Sequence, residues 1–455
     1  MNIHFISIGG SVMHQLAIAL KRKGYRITGS DDEIFEPAKS NLEAEGILPA
    51  VIGWHPERIT SQLDAVILGM HAKADNPELQ KAKELHIPIY SFPEYIYKES
   101  TNKTRVAIGG SHGKTTTTAM IMHVLQASGQ EFDYLVGARL QGFNQSVKIT
   151  DAPVIVCEGD EYPASIIEKQ PKFHFLYPHI AVLTGIAWDH INIFPTFENY
   201  VQQFAIFIQK IKTGGHLMYN ETDPVLKNLV QQTKREDIYY HPYGVPQHTI
   251  SSGKTEMVIE DQKTPLKVFG NHNLLNAQAA WLVCRQLNIS AAQFSKAIST
   301  FAGAAKRLEL LAESNSTIVY KDFAHAPSKV KATIEAVKAQ FARKKLYAVL
   351  ELHTYSSLNE NFMQEYNGVM QPADAAVVFY SKHALELKQM PELKKEAVQR
   401  GFATHNLSVL NTKAELEHWL NQQDYHNSVL LFMSSGNYDG LDIAAFAQRI
   451  TAIKN

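Results

Sequence analysis

The sequence predicts an α/β protein of about three domains, built on parallel sheets. Three observations point there. The chain has 455 residues, against roughly 150 per domain. Short β-rich runs alternate with helical ones, the rhythm of βαβ units. At 105–127 a β run enters a glycine-rich turn and leaves it as a helical run. Hydrophobic residues make up 45% and charged residues 20%, enough apolar material for several real cores. Lys+Arg is 44 and Asp+Glu is 45, a net charge of -1. That balance argues against nucleic acid or a membrane surface as partner, and leaves room for local basic pockets. Cys157 and Cys284 make neither a metal-ligand spacing nor a disulfide framework, which suits a reducing compartment. No stretch approaches the roughly 18 apolar residues of a membrane span. The start MNIHFISIGG has no basic segment followed by a long apolar one. The expectation is a soluble, cytoplasmic protein.

Residues 1–100 read as the first domain. Runs 3–8, 25–28, 65–68 and 88–90 are predicted strands, 13–23 and 77–85 predicted helices, and the polar 98–103 a linker. The second domain, 101–303, opens on a strand at 105–108 and has further strands near 154–157 and 180–183. Within it, 213–270 reads as short strands and turns, a smaller β-rich subregion. The third domain, 304–455, has predicted strands at 317–320, 346–350, 375–379 and 428–433 with helical runs between them. It reads as another doubly wound sheet.

The strongest local signal is Gly109-Gly110-Ser111-His112-Gly113-Lys114-Thr115-Thr116, followed by a helical run to 127 that stops at Gly129. Glycines let backbone N–H groups approach phosphates, and a helix N-terminus adds positive potential. This is a cradle for a nucleoside triphosphate. Lys114 would neutralise the β- and γ-phosphates, and the Thr115 hydroxyl would ligate Mg²⁺. The common phosphate loop has a glycine five positions before Gly113, where this chain has Ile108. An ordinary strand–turn–helix with a chance Gly-Lys-Thr is the competing explanation.

The run 153–157 ends in Glu158-Gly159-Asp160-Glu161. An acid at the carboxyl end of a parallel strand sits where open sheets bind ligands. Glu158 is therefore either an Mg²⁺ ligand, direct or through water, or part of a solvated turn of charges. The run 180–183 leads to Asp189-His190 on the same sheet edge. Histidine is an unusual ligand for a hard cation, and alone His190 reads as a satisfied loop residue. Near the N-terminus, Gly9-Gly10-Ser11 follow a strand, and Ser30-Asp31 follow the next one. The pair suits a diphosphate at a helix N-terminus with an acid near a ribose. Ser7 stands where a dinucleotide fingerprint has its first glycine, so a glycine-rich packing turn is the alternative.

The order of these segments resembles the Mur ligase family of bacterial cell-wall synthesis over essentially the whole chain. The resemblance rests on Ile8-Gly9-Gly10-Ser11-Val12-Met13, Gly110-Ser111-His112-Gly113-Lys114-Thr115-Thr116, Glu158-Gly159-Asp160-Glu161, Asp189-His190, Gly270-Asn271-His272-Asn273, Lys306-Arg307-Leu308-Glu309 and Asp322-Phe323-Ala324-His325. It implies a three-domain architecture: a Rossmann-like N-terminal domain, a P-loop central ATPase domain with a parallel sheet and a Rossmann-like C-terminal domain. It implies ATP and Mg²⁺, and amide formation through an acyl phosphate between UDP-N-acetylmuramate and the amine of an amino acid or peptide. Lys114, His190 and Arg307 would be catalytic. Gly109, Gly110, Ser111, His112, Gly113, Lys114, Thr115 and Thr116 would cradle the phosphates, with Asn273, Asp322 and His325 at the rest of the nucleotide. Thr115 would hold one Mg²⁺, and Glu158 with His190 a second.

By the same resemblance Gly9, Gly10, Ser11, Ser30, Asp31 and His71 would bind the UDP part. His353 and Ser435 would meet the incoming amine component. Tyr162 and the segment 188–194 resemble the branch that takes a recycled tripeptide, L-alanyl-γ-D-glutamyl-meso-diaminopimelate. The alternative is the branch that adds L-alanine. Gly185, Ala326 and Lys306 stand where relatives often have asparagine, a second histidine and arginine. His353 stands where the recycling branch has arginine, which bears on how peptide carboxylates are read. Phe204 stands where some members carry a carbamylated lysine, so none is expected. The expected assembly is a monomer or a weak homodimer.

Overall fold

The first sheet is four parallel strands in the order Arg26–Ser30, Asn2–Ile6, Ala65–Leu68, Ile89–Ser91. These come from a computed structural model that describes residues 1–70, 72–137, 140–165, 168–188, 193–304 and 308–452. Ala65–Leu68 is buried along its whole length, as a parallel strand covered on both faces must be. His4, inside Asn2–Ile6, is also fully buried. It is held there by Glu78 at 3.2 Å and Thr28 at 2.9 Å, since a buried polar group needs partners. Glu78 itself sits in the helix Pro77–Glu84, which starts on the Asn76 side chain.

The polar stretch 98–103 is not the loose linker its composition predicts. A Ser91/Glu94 capping box starts the helix Phe92–Glu99, so 98 and 99 are helical. Beyond it, Lys103 is buried, its ammonium bound to Asp133 at 2.7 Å and to the carbonyls of Thr150 and Ala152. A charge with that many partners is tolerated inside the protein.

The second sheet has seven strands: Tyr239–Tyr243, His216–Asn220, Ile180–Leu183, Thr104–Gly109, Val154–Glu158, Asp133–Leu135 and Val147–Lys148. Only the last pairing is antiparallel. Thr104–Gly109 lies at its middle. The chain winds to one side through Asp133–Leu135 and Val154–Glu158, then to the other through Ile180–Leu183. The carboxyl ends around Gly109 therefore form the crevice where strand order reverses.

The predicted β-rich stretch divides. His216–Asn220 and Tyr239–Tyr243 join the parallel sheet, because their backbones find partners there. His248–Ser251, Lys254–Ile259 and Gln262–Leu266 form a separate antiparallel sheet. The last sheet runs Glu309–Glu313, Thr317–Asp322, Ser428–Met433, Lys345–Leu352, Ala375–Tyr380, Leu407–Leu410, parallel except at its first pair.

The chain separates into two compact units. One is Met1–Pro246 with Leu275–Ile298; the other is Gln247–Leu274 with Ser299–Asn455. The antiparallel sheet belongs to the second, where Thr255 donates to the Gln340 side chain at 2.7 Å. Among the described residues no helix is long and apolar enough to cross a membrane.

Candidate functional site

The glycine-rich turn leaves Thr104–Gly109 and enters the helix Lys114–Ala127. Gly110 has φ +123° and Gly113 φ +88°, a region L side chains rarely enter. The exit of the neighbouring strand ties the turn down. The Thr184 N–H donates to the Gly109 carbonyl at 3.0 Å, its hydroxyl donates to the His112 carbonyl, and the Ser111 N–H donates to Gly185 at 2.9 Å. Ser111 Oγ accepts the Ala187 N–H and meets the Tyr200 hydroxyl, both at 2.8 Å. On the helix, Thr117 donates to Asn276 at 3.2 Å. Gly113, the N-cap, offers no side-chain acceptor, so the first-turn amides keep the anion-binding character of a helix start.

Lys114 reaches back over this turn. Its ammonium bonds to the Gly110 carbonyl and to Glu161 at 2.9 Å. Glu161 is 1% exposed. Burial pushes its carboxyl above the usual carboxylate range, against the pull of Lys114. The Tyr200 hydroxyl stands 3.4 Å from the same carboxylate oxygen. Thr115 donates to Glu158 at 2.5 Å, and the other Glu158 oxygen accepts the Gly137 N–H at 2.9 Å. Thr115 and Glu158 thus meet, a hydroxyl and a carboxylate side by side. Such oxygens suit a hard cation like Mg²⁺, which keeps most of its other positions for water and phosphate. The described residues hold no group of three metal-ligating side chains. His71, Asp189, His190, Lys306 and Arg307 lie outside the described residues.

On the first sheet, Asp31 is buried and takes the Gly9 N–H at 2.6 Å and the Asp32 N–H at 3.0 Å. The Ser30 carbonyl takes the N–H groups of Ser7 and Ile8. Asp31 therefore shapes the glycine turn from beneath. Burial lifts its carboxyl to about 6, with the Gly9 N–H pulling the other way. A folded-state value above that of the free chain adds stability that is complete below about 4 and is lost as pH rises towards 6. Melting temperatures should accordingly fall across that window, and Asp31→Asn should flatten the fall. A variant curve parallel to the wild type would show that other groups set the slope. Gly10 and Ser11 open on a cavity of about 150 Å³ whose lining also includes Glu158, Asp160 and Lys172.

In the second unit Asp322 ends its strand and accepts the N–H groups of Leu308 and Ala324. The His325 ring contacts the Phe323 carbonyl at 2.8 Å. Asn273 is buried and donates to Phe269 at 2.9 Å. At the carboxyl ends of the adjacent strands Lys345–Leu352 and Ser428–Met433 lies Glu351, which is 2% exposed. It accepts from Ser434 and from the Tyr438 N–H, and burial raises its pKa. A Cβ on Gly436 would lie 2.8 Å from both Glu351 and the His353 ring. The loop with Ser435 and the one with His353 are therefore in contact. Ser435 Oγ is buried with no hydrogen-bond partner among the described residues.

Sequence reasoning named Lys114 and Thr115 from the glycine turn and Glu158 from its strand end, and the structure brings Thr115 and Glu158 into contact. It missed the roles of Glu161, Thr184 and Tyr200. Glu161 was in view as part of an acidic run; nothing in the pattern distinguished it from its neighbours. Tyr200 carries no local signal at all.

Family models match the chain in order along its length. They are the Mur ligase family catalytic domain over 2–102, the Mur ligase middle domain over 108–284 and the Mur ligase glutamate ligase domain over 306–436. The UDP-N-acetylmuramate–L-alanine ligase of Carboxydothermus hydrogenoformans is 30% identical over 447 residues, covering 96% of this chain and 94% of that protein. The UDP-N-acetylmuramate–L-alanyl-γ-D-glutamyl-meso-2,6-diaminoheptandioate ligase of Escherichia coli K12 is 28% identical over 363 residues, covering 77% and 79%. The solved murein peptide ligase of Psychrobacter arcticus covers all of both chains at a TM-score of 0.61 and 21% identity, a likeness of fold. The chain thus belongs to the Mur ligase family, with its three-domain α/β architecture, and is an ATP-dependent ligase of peptidoglycan synthesis that forms a carbon–nitrogen bond.

Proposed function

We propose that the chain joins UDP-N-acetylmuramate to the recycled tripeptide L-alanyl-γ-D-glutamyl-meso-diaminopimelate. The observation that carries the acid-activating half is the contact of Thr115 with Glu158 beside Lys114, on the edge that opens towards Gly10 and Ser11. The lactyl carboxylate attacks the γ-phosphorus of ATP, and ADP leaves. The tripeptide amine then attacks the acyl carbon and phosphate leaves, the amine giving up a proton. Two anions meet in the first step, so positive charge must be concentrated there. Lys114 supplies it from the turn, and Arg307 adds to it from the start of the C-terminal domain. Mg²⁺ held by Thr115, and a second by Glu158 and His190, would neutralise charge as acid and phosphate approach.

Residues 1–100 take the UDP part through Gly9, Gly10, Ser11, Ser30, Asp31 and His71. Residues 101–303 take ATP through Gly109–Thr116, with Asn273 at the base. Residues 304–455 take the amine component, with Asp322 and His325 at the nucleotide and His353 and Ser435 at the acceptor. The tripeptide is favoured by the likeness of Glu158-Gly159-Asp160-Glu161-Tyr162 to the recycling branch. L-alanine is the second reading, favoured by 30% identity to an L-alanine ligase against 28% to a tripeptide ligase. Purified protein with UDP-N-acetylmuramate and ATP should release phosphate at least about tenfold faster with tripeptide than with L-alanine. Faster release with L-alanine reassigns the acceptor; none with either ends the donor assignment.

A further inference from the structure

The cavity between the glycine turn of the first sheet and the acidic strand end of the second is largely apolar, with Leu135, Phe173 and Leu176 in its wall. Its charged lining residues, among those described, are Glu158, Asp160 and Lys172. An anion entering this space meets two carboxylates and one cation. Glu158 is already engaged by Thr115 and the Gly137 N–H. Asp160 is bonded to the Lys172 ammonium at 2.7 Å and to the Tyr162 N–H at 3.0 Å.

Lys172 is well anchored. Its N–H donates to the Tyr162 carbonyl at 2.9 Å, and the next residue, Phe173, donates to the Asp160 carbonyl at 3.1 Å. Phe173 is fully buried and stacks on Phe207 with ring centres 4.8 Å apart. The backbone beneath Lys172 is therefore fixed, while its side chain stays 24% exposed. An ammonium has three donors; Asp160 takes one and orients the rest. The Lys172 charge is shared with Asp160, so a second carboxylate is held through the remaining donors of the ammonium and not through a net positive field.

We propose that Lys172 binds the lactyl carboxylate of the sugar nucleotide and so selects a donor that carries this acid. The inference rests on the donor reading given above. On that donor reading the diphosphate sits at the turn before the helix Met13–Arg22, whose Gly10 and Ser11 also line this cavity. Lys172 lines the same cavity as Glu158, beside which the acid must arrive to meet the γ-phosphate.

The test compares two ligands by calorimetry: UDP-N-acetylmuramate, and UDP-N-acetylglucosamine, which has the same nucleotide and diphosphate and lacks the lactyl acid. Wild type should prefer the former by roughly 10- to 100-fold, the span of a charge-assisted hydrogen bond. Lys172→Met should lose that preference while its affinity for UDP-N-acetylglucosamine stays within about twofold. Lys172→Gln, which can still bond Asp160, should behave the same way and guards against a folding defect; melting temperatures check both. Retained preference in either folded variant overturns the assignment. So does an equal loss for both ligands, which would put Lys172 at the diphosphate. Wild type that binds neither ligand ends the donor reading and this one with it, an outcome the wild-type titration alone distinguishes.

Discussion

Lys114→Ala is expected to lower ATP-dependent ligation by roughly 10²–10³-fold, the usual loss when one group that stabilises developing charge is removed. Lys114 is the cation that the glycine turn itself presents, held at Gly110 and Glu161. The variant has a second effect that must be separated from the first. It leaves Glu161, 1% exposed, without its counter-charge, and breaking a buried pair from one side costs up to about 3–5 kcal/mol. The double variant Lys114→Ala/Glu161→Gln removes both charges. It should recover most of the lost melting temperature and none of the lost rate. Initial rates of phosphate release and thermal melts on the two variants make the comparison. A Lys114→Ala enzyme that works at the parent rate would remove the cradle from the mechanism. Recovery of rate in the double variant would show that the loss was structural.

Gly110→Ala should abolish nucleotide binding and cost about 1–3 kcal/mol of stability. At φ +123° a side chain is strained before any contact is counted. The added Cβ would stand 2.2 Å from Thr184 Oγ1, 2.9 Å from the Thr184 backbone nitrogen and 3.0 Å from the Gly185 carbonyl. Turning the Thr184 side chain away relieves the first contact and breaks its bond to His112. The other two are backbone atoms, so the turn itself must move, and with it the amides that would face the phosphates. Gly129→Ala is the control. Gly129 also has positive φ, +68°, but nothing lies within 4 Å of its added Cβ. Its cost should be about 1 kcal/mol, with nucleotide affinity unchanged. Urea unfolding and equilibrium ATP binding measure both; a Gly110→Ala protein that binds ATP like wild type would contradict the crowding argument.

Some of the protein was legible from residue order. The runs 65–68, 180–183 and 428–433 were read as strands, and Ala65–Leu68, Ile180–Leu183 and Ser428–Met433 are those strands. Each is a short, almost wholly apolar run, and each is buried as a strand inside a covered sheet. The strand–turn–helix at 104–127 was legible because its signal is contiguous: a β run, glycines and a helical run follow one another directly. The stretch 98–103 is less open than its polarity predicts, because polarity does not distinguish an exposed tether from a segment that ends a helix and buries Lys103 against Asp133.

Length, charge balance and the glycine turns are properties of the chain as written and pointed to an α/β protein with a nucleotide cradle; the ligase activity came from the resemblance that the order of the motifs carries. Which acid faces which cation is a different kind of fact. Thr115 and Glu158 are 43 residues apart, Lys114 and Glu161 47, Glu351 and Ser434 83. Those meetings depend on strand order and register, which bring distant strand ends to one edge. Burial then sets the strength of each pairing. The arrangement of a buried carboxylate, a tethered lysine and a walled cavity exists only once the sheets have formed, because only then is water excluded.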